Sequence, residues 1–359
     1  LRYTNAVSTT SRATNPNSLP SAVAPTSNTA NDRRNRYFYD NDGRLQGSLD
    51  AQGYLSENQY NAANQLTHTI GYAKATTSTT SATDSLSTLR TNIVNQGTST
   101  DDQHRYVFYN TKGQVAGLLD ALNYLTTYEY DLNGNKTVET RYNDPTAAYT
   151  GQTLSALKPT TNSTKNHITV TAYNGANQVT SVTTNPQGTV TQYTYDNVGN
   201  LTQTAAAFNT TEVRTTRTRY DVRGNITGEL TGEGVATLDA LINPIQLQID
   251  NIWAQYGLTH TYDNTNRRIS TTDQTGKATY FFYDNANRLR LTITPADNGT
   301  TLVNQGEITE REYDAFGQLR FIRRYSNRIG TTGLTGGLLT SAFQNQVTAL
   351  RNSTQDHVT

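Results

Sequence analysis

The chain has 359 residues, a formal net charge of zero, 34% hydrophobic and 16% charged residues, and neither Cys nor Met. These figures exclude disulfides, thiolate nucleophiles and Cys-based zinc sites and leave no basic stripe for nucleic acid. No run of 18 apolar residues occurs, so no helical membrane span is expected.

Low charge argues against a conventional disordered segment. The 23 Tyr and abundant Thr favour strands, because aromatic and β-branched side chains fit a pleated surface. An extended all-β structure with a thin core is therefore expected.

Residues 1–30 read as the tail of a preceding unit. The opening "LRYTNAVSTT" has neither the charged nor the apolar region of a signal peptide. From residue 36 a motif begins. Tyr39-Asp40-x-x-Gly43 is followed by Tyr60-Asn61-x-x-Asn64, then by Tyr109-Asn110 with Gly113 and Tyr130-Asp131 with Gly134. It returns at Tyr173-Asn174 with Asn177, Tyr195-Asp196 with Gly199, and Tyr220-Asp221 with Gly224. The last copies are Tyr262-Asp263 with Asn266, Tyr283-Asp284 with Asn287, and Tyr313-Asp314 with Gly317. Two residues later the chain is apolar (Leu45, Leu66, Val115, Val179, Leu201, Ile226, Leu289, Leu319), except at Lys136 and Arg268.

Each copy has the chemistry of a β-hairpin turn. Asp or Asn can accept hydrogen bonds from the backbone N–H groups just ahead of it. Gly and Asn tolerate positive φ. Together they fit a type I turn closed by a left-handed residue. Tyr enters the turn and the apolar residue leaves it, so the two can meet across the strands.

The copies are ordered in a longer frame. Residues 31–142 hold two double-hairpin units: Tyr39, Asp50, Tyr60 and Tyr72 return as Tyr109, Asp120, Tyr130 and Tyr142, each 70 residues on. Opposite turns are expected at 50–54, 120–124, 185–189 and 273–277. A connector at 143–168 precedes repeats at 169–230. A second connector at 231–257 precedes repeats at 258–325, and 326–359 leads toward a next unit. The stretches 85–93 and 340–350 suit short surface helices packed on the sheet. Tyr3 precedes Tyr37 by 34 residues, as Tyr72 precedes Tyr106 and Tyr325 precedes Thr359. With no atypical capping unit in view, an internal window of a longer array is expected.

Few residues suggest chemistry. Asp40-x-Asp42-Gly43 lacks the spacing and the distal Glu of a calcium loop. His68, His104, His167, His260 and His357 form no metal-binding motif in sequence. The glycines at 232–234 and 275–277 lack the spacing of a phosphate loop. No catalytic site, metal or cofactor is expected, and the chain is read as a non-enzyme. The tyrosines read as cross-strand packing, with stacking on sugars as the functional alternative. The sequons at Asn162, Asn209 and Asn298 are expected by chance in so Asn/Thr-rich a chain.

The repeated Y-D-x-x-G-x-L pattern resembles the YD-repeat, or RHS-repeat, family of bacterial RHS toxins, Tc toxin B and C components and teneurins. The resemblance covers roughly residues 31–330. It implies a long β-sheet spiralling into a hollow shell, in a secreted or cell-surface bacterial protein. The implied partners are further repeats and an enclosed toxin or other passenger polypeptide. No stretch resembles the family's self-cleaving core or a variable toxin domain, so only the shell is carried over. The alternative is an extracellular fibre or adhesin whose Tyr-rich repeats bind surface glycans or proteins.

Overall fold

A computed structural model describes residues 35–79, 81–97, 99–160, 163–296 and 304–359. The expected tail at 1–30, with Tyr3, and the sequon residues Asn162 and Asn298 lie outside the described residues. The chain forms two compact units: the chain to Thr171 with Thr184–Gly188, and Ala172–Thr183 with Thr189–Thr359. The architecture is all-β, a ladder of antiparallel hairpins carrying a few short helices.

The first unit runs through β1 (Arg36–Tyr39), β2 (Leu45–Leu49), β3 (Tyr54–Tyr60) and β4 (Leu66–Ala75). It continues with β5 (Gln103–Tyr109), β6 (Val115–Leu119), β7 (Leu125–Tyr130), β8 (Lys136–Arg141) and β9 (His167–Tyr173). Each strand pairs antiparallel with the next. Helix α1 (Leu86–Asn95) lies between β4 and β5, and α2 (Leu154–Leu157) between β8 and β9.

The second unit begins at Ala172, within β9, and takes in β10 (Val179–Asn185) as far as Thr183, then β11 (Thr189–Tyr195), β12 (Leu201–Ala206), β13 (Arg214–Tyr220) and β14 (Ile226–Thr231). Helices α3 (Glu233–Asp239) and α4 (Gln246–Tyr256) interrupt the ladder. It resumes with β15 (Gly257–Tyr262), β16 (Arg268–Thr272), β17 (Ala278–Tyr283), β18 (Leu289–Pro295), β19 (Gln305–Tyr313) and β20 (Leu319–Gly330). Then come β21 (Gly337–Leu338), α5 (Ser341–Ala349) and β22 (His357–Val358). β21 pairs parallel with β17, which departs from the expected purely antiparallel pattern. β22 closes back onto β20.

Among the described residues the buried apolar side chains gather in four clusters, each under a helical insertion. Leu49 and Leu55 pack against Leu89 and Ile93 of α1, and Leu119 and Leu125 against Leu157 of α2. Leu230 packs against α3 and α4, with Val235, Ile252 and Trp253. Phe282, Leu291, Ile293 and Ile308 pack against Val347 of α5. Burying one such side chain contributes about 1.5–3 kcal/mol, so small clusters suffice where the hairpins also hold one another.

The insertions fit because three strands carry Gly beneath them. A Cβ on Gly47 would lie 2.8 Å from Leu86 Cδ1, and one on Gly117 would lie 2.6 Å from Leu154 Cδ1. On Gly228 it would lie 3.0 Å from the Trp253 ring. These glycines are needed for close approach of a helix to the sheet.

The helices at 85–93 and 340–350 stand where the sequence suits them. Ser85 and Thr340 are their N-caps, accepting from the Thr88 and Phe343 N–H groups at 3.1 and 3.2 Å. The connectors at 143–168 and 231–257 are more ordered than their composition suggests. They contain α2, α3 and α4, whose short apolar stretches acquire a partner only when the sheet face is present.

Candidate functional site: the row of Tyr-Asp turns

All ten residues expected to close the turns have left-handed φ, from +61° to +97°: Gly43, Asn64, Gly113, Gly134, Asn177, Gly199, Gly224, Asn266, Asn287 and Gly317. Their N–H groups donate to the carbonyl of the opening Asp or Asn three residues back, as Gly43 does to Asp40 at 3.1 Å. The opener's N–H donates in turn to the carbonyl four residues ahead. Its Oδ1 takes backbone N–H groups at positions two and four, as Asp196 does from Val198 (3.0 Å) and Asn200 (2.8 Å).

Tyr and the exit residue face each other in the register: Tyr39 with Leu45, Tyr60 with Leu66, Tyr109 with Val115, Tyr195 with Leu201 and Tyr220 with Ile226. Tyr283 with Leu289 and Tyr313 with Leu319 continue the series. A register shift precedes the Tyr in each pair, because the closing residue is one too many for the ladder. Lys136 and Arg268 hold the same place opposite Tyr130 and Tyr262.

The tyrosine hydroxyl does something the sequence did not indicate. In seven copies it donates to the carbonyl of the exit residue of the preceding hairpin. Tyr60 reaches Leu45 (2.9 Å), Tyr109 reaches Leu66 (2.9 Å) and Tyr130 reaches Val115 (2.8 Å). Tyr195, Tyr220, Tyr283 and Tyr313 do the same to Val179, Leu201, Arg268 and Leu289, at 2.8–3.0 Å. Each ring therefore packs within its own hairpin while its hydroxyl holds the one before.

A second residue went unrecognised: the one four positions after the opener. Asp can only accept, so its free oxygen needs a donor. Arg44, Arg267 and Arg288 supply one to Asp40, Asp263 and Asp284 at 2.6, 2.6 and 2.8 Å. Asn135, Asn200 and Asn225 supply one to Asp131, Asp196 and Asp221, each at 2.9 Å. Where the opener is Asn its amide donates, and the partner is then Gln. Asn61, Asn110 and Asn174 give to Gln65, Gln114 and Gln178 at 2.9–3.0 Å. Asp314 takes only backbone N–H groups, at 2.8 and 2.9 Å. This covariation between positions one and five was present in the sequence.

The same side chain extends to the next turn. Gln65, Gln114 and Gln178 donate to the carbonyls of Gly113, Gly134 and Gly199 at 2.9, 3.4 and 3.1 Å. Arg44 donates to Asn64 Oδ1, and Arg267 to Asn287 Oδ1 at 3.0 Å. Arg44, Arg267 and Arg288 also lie over the rings of Tyr60, Tyr283 and Tyr313, 4.9–5.3 Å from their centroids. Wherever the closing glycine's carbonyl is taken in this way, glutamine takes it; arginine goes to the Asn amide oxygen.

The carboxylates of Asp40, Asp131, Asp196, Asp221, Asp263 and Asp284 are held below the usual range. Burial alone would raise Asp263, but hydrogen bonds from Thr265 and Arg267 outweigh it and lower it to about 2. At Asp131 and Asp196 the side-chain bond from Asn135 or Asn200 is the chief lowering influence.

The fold also joins histidines that are distant in sequence. His68 Nδ1 faces Gln59 Oε1 at 3.1 Å and so carries the hydrogen; its Nε2 then accepts from His104 Nδ1 at 3.0 Å. The His68 ring stacks on Tyr106, with centroids 4.1 Å apart. Burial, then the charge of His104, lowers His68 to about 4. With Phe108 and Tyr149 these rings line an open cleft of about 540 Å³. Among the described residues no group of three or more potential metal ligands assembles.

Residues 173–211 match the RHS repeat family model. No curated protein sequence matches the chain. Among solved structures, that of TcdB2-TccC3-TEV matches with TM-score 0.54 at 13% identity, over 81% of this chain and 13% of its own length. TcdB2-TccC3-Cdc42 matches with TM-score 0.46 at 12% identity, over 83% and 16%. The Photorhabdus luminescens Tc holotoxin pore, carrying a TccC3 mutation, matches with TM-score 0.36 at 14% identity, over 83% and 14%. The chain thus spans less than a fifth of the length of these proteins, and the first match shows the fold. The family match falls at the fifth and sixth of ten turns of one build, so residues 173–211 carry an RHS repeat whose turn recurs along the chain.

Proposed function

We propose that this chain is a length of wall in a large β-sheet shell that isolates a toxin or other passenger polypeptide, within a secreted bacterial protein. Its contribution is architectural, with no covalent chemistry of its own. The observation that carries this reading is the linked turn row. Tyrosine hydroxyls and fifth-position side chains tie each hairpin to its neighbour, so a strip can be prolonged without a central core. Zero net charge and polar strand faces suit a wall that must exclude rather than bind. The test is electron cryomicroscopy of the intact protein. A closed spiral with passenger density in its lumen is expected; a straight rod without a lumen would overturn the reading.

One observation favours a second reading, an extracellular fibre or adhesin. The cleft lined by His68, Tyr106, Phe108 and Tyr149 has rings on which a sugar could stack. Glycan-array binding lost on Tyr106→Ala and Tyr149→Ala would support it. An array without binding would leave the shell reading alone.

A further inference from the structure

We infer that His68 and His104 form a two-histidine site for a divalent transition metal of square-planar preference, copper(II) first, which ties β4 to β5. The inference goes beyond both functional readings, since it needs neither a lumen nor a bound sugar.

Three observations define the site. The first is convergence. The two histidines stand 36 residues apart in the chain. In the register His68 lies opposite Tyr106 and Ile70 opposite His104, so the histidines are diagonal neighbours on one face of the sheet. His68 Nε2 and His104 Nδ1 come to 3.0 Å. The second is support from outside the pair. His68 Nδ1–H donates to Gln59 Oε1 at 3.1 Å, which leaves Nε2 as a lone pair turned toward His104. A carbonyl that fixes tautomer and ring in this way is the usual outer partner of a metal-binding histidine. The stack on Tyr106 holds the same ring from its face. The third is access: His68 lines the open cleft, so an ion and its waters have a way in.

The separation of the nitrogens chooses the metal. With bonds of about 2.0–2.1 Å, two nitrogens stand about 2.9 Å apart at a right angle and about 3.3 Å apart in a tetrahedron. The observed 3.0 Å is close to the right angle of a square plane. Imidazole in that geometry suits copper(II) or nickel(II), and copper(II) binds the more tightly. On binding, the hydrogen on His104 Nδ1 leaves and one is taken up at Nε2, so both rings bind neutral. Water fills the remaining positions. Strand pairing, the Gln59 bond and the Tyr106 stack already order the ligands, so binding has little freedom left to remove. His260 is engaged otherwise: its Nδ1 faces Thr271 Oγ1 at 3.0 Å and its Nε2 faces Glu229 Oε1 at 3.3 Å.

The probe is copper(II) sulfate, titrated into the full chain near neutral pH in a weakly coordinating buffer. Pulsed electron paramagnetic resonance then counts the imidazoles on the ion in the unaltered chain, so the first result depends on no variant. The expected signal is one square-planar copper(II) per chain, bound by two imidazoles. Gln59→Leu keeps both ligands and should weaken binding about 10-fold. His68→Gln and His104→Gln should each weaken it further and abolish the two-imidazole signal. His167→Gln, at an exposed histidine outside the pair, should leave it as it was. A signal from one imidazole or none, or a two-imidazole signal that survives both His68→Gln and His104→Gln, means an adventitious ion only and overturns the inference. So does a folded chain, by circular dichroism, that takes up no copper(II).

Discussion

Two stretches of the first unit, 70 residues apart, solve the same packing problem differently. In each, a Gly on the first strand of an inner hairpin (Gly47, Gly117) admits a helix leucine (Leu86, Leu154). In each, two strand leucines meet a second helix leucine, Leu89 or Leu157. The difference lies at the next inward position of the second strand. The first stretch has Glu57, 2% exposed and gripped by Arg90 Nε at 2.8 and 2.9 Å, with Tyr72 beside them. The second has buried Thr127 there, with Tyr142 in the place of Tyr72, and α2 is a single turn.

The charged version returns in the second unit. Glu310, fully buried, accepts from Tyr325 at 2.7 Å, from Gln344 at 3.0 Å and from Arg351 at 2.9 and 3.1 Å. Tyr325 follows Glu310 by 15 residues, as Tyr72 follows Glu57. Burial would raise the Glu310 carboxyl, but the bonds from Tyr325 and Arg351 hold it below the usual carboxylate range. Burial and this carboxylate push Tyr325 up to about 12. Apolar side chains hold the helix on the sheet in all these places, leucines at α1 and α2 and Val347 at α5. The Glu-Tyr-Arg latch accompanies α1 and α5, of 10 and 9 residues, while at the single-turn α2 Thr127 stands in place of the Glu.

Breaking the latch should have the largest effect. Arg90→Ala leaves a buried carboxylate unpaired and should cost about 3–5 kcal/mol in denaturant unfolding. Adding Glu57→Thr, the residue of the sister stretch, should return most of that. Lys158→Ala, on the exposed end of α2, should change stability by no more than about 0.5 kcal/mol. Equal effects of Arg90→Ala and Lys158→Ala would end the comparison.

Next in size is Gly117→Val, which drives a side chain into Leu154 and should cost about 1–3 kcal/mol. Gly175→Val, at a turn position with nothing within 4 Å of its Cβ and no positive φ, is the control and should be far milder.

Tyr60→Phe removes one hydroxyl bond and should cost about 1 kcal/mol. Tyr39→Phe, at the exposed copy, should be nearly silent in the same assay.

The smallest effect is that of pH, screened at a half-exposed site. His68 titrates at about 4 in the folded chain and near 6.5 unfolded, so the unfolded chain binds more protons between these values. Its contribution is present above about pH 6.5 and should be lost as pH falls toward 4. His68→Gln should flatten the stability profile in that window, whereas Asp263, lowered to about 2, acts below it.

The hairpins and their turns could be read from the sequence because turn chemistry is local: Asp40 and Gly43 carry their signal within four residues. Helices α1 and α5 were legible for the same reason, through Ser85 and Thr340 as caps. Helix α4 was not, since Ile245 at its cap position offers no side-chain oxygen and its apolar residues Ile252 and Trp253 make sense only against Leu230. The Asn61–Gln65 and Asp131–Asn135 pairings are visible only as covariation, a weaker signal than the recurring Tyr-Asp or Tyr-Asn step. The spacing of Tyr72, Tyr142 and Tyr325 marks a frame in the sequence. The partners of Tyr72 and Tyr325, Glu57 with Arg90 and Glu310 with Arg351, lie far apart in the chain, so the latch needed the fold.

The central claim is that a tyrosine in one hairpin stabilises the hairpin before it. Amide hydrogen exchange on Tyr109→Phe tests this most directly. The account predicts that protection falls in the unmutated β3–β4 hairpin around Leu66, as well as at the site of the change. Loss confined to β5 and β6, with β3–β4 exchanging as in the parent chain, would contradict it.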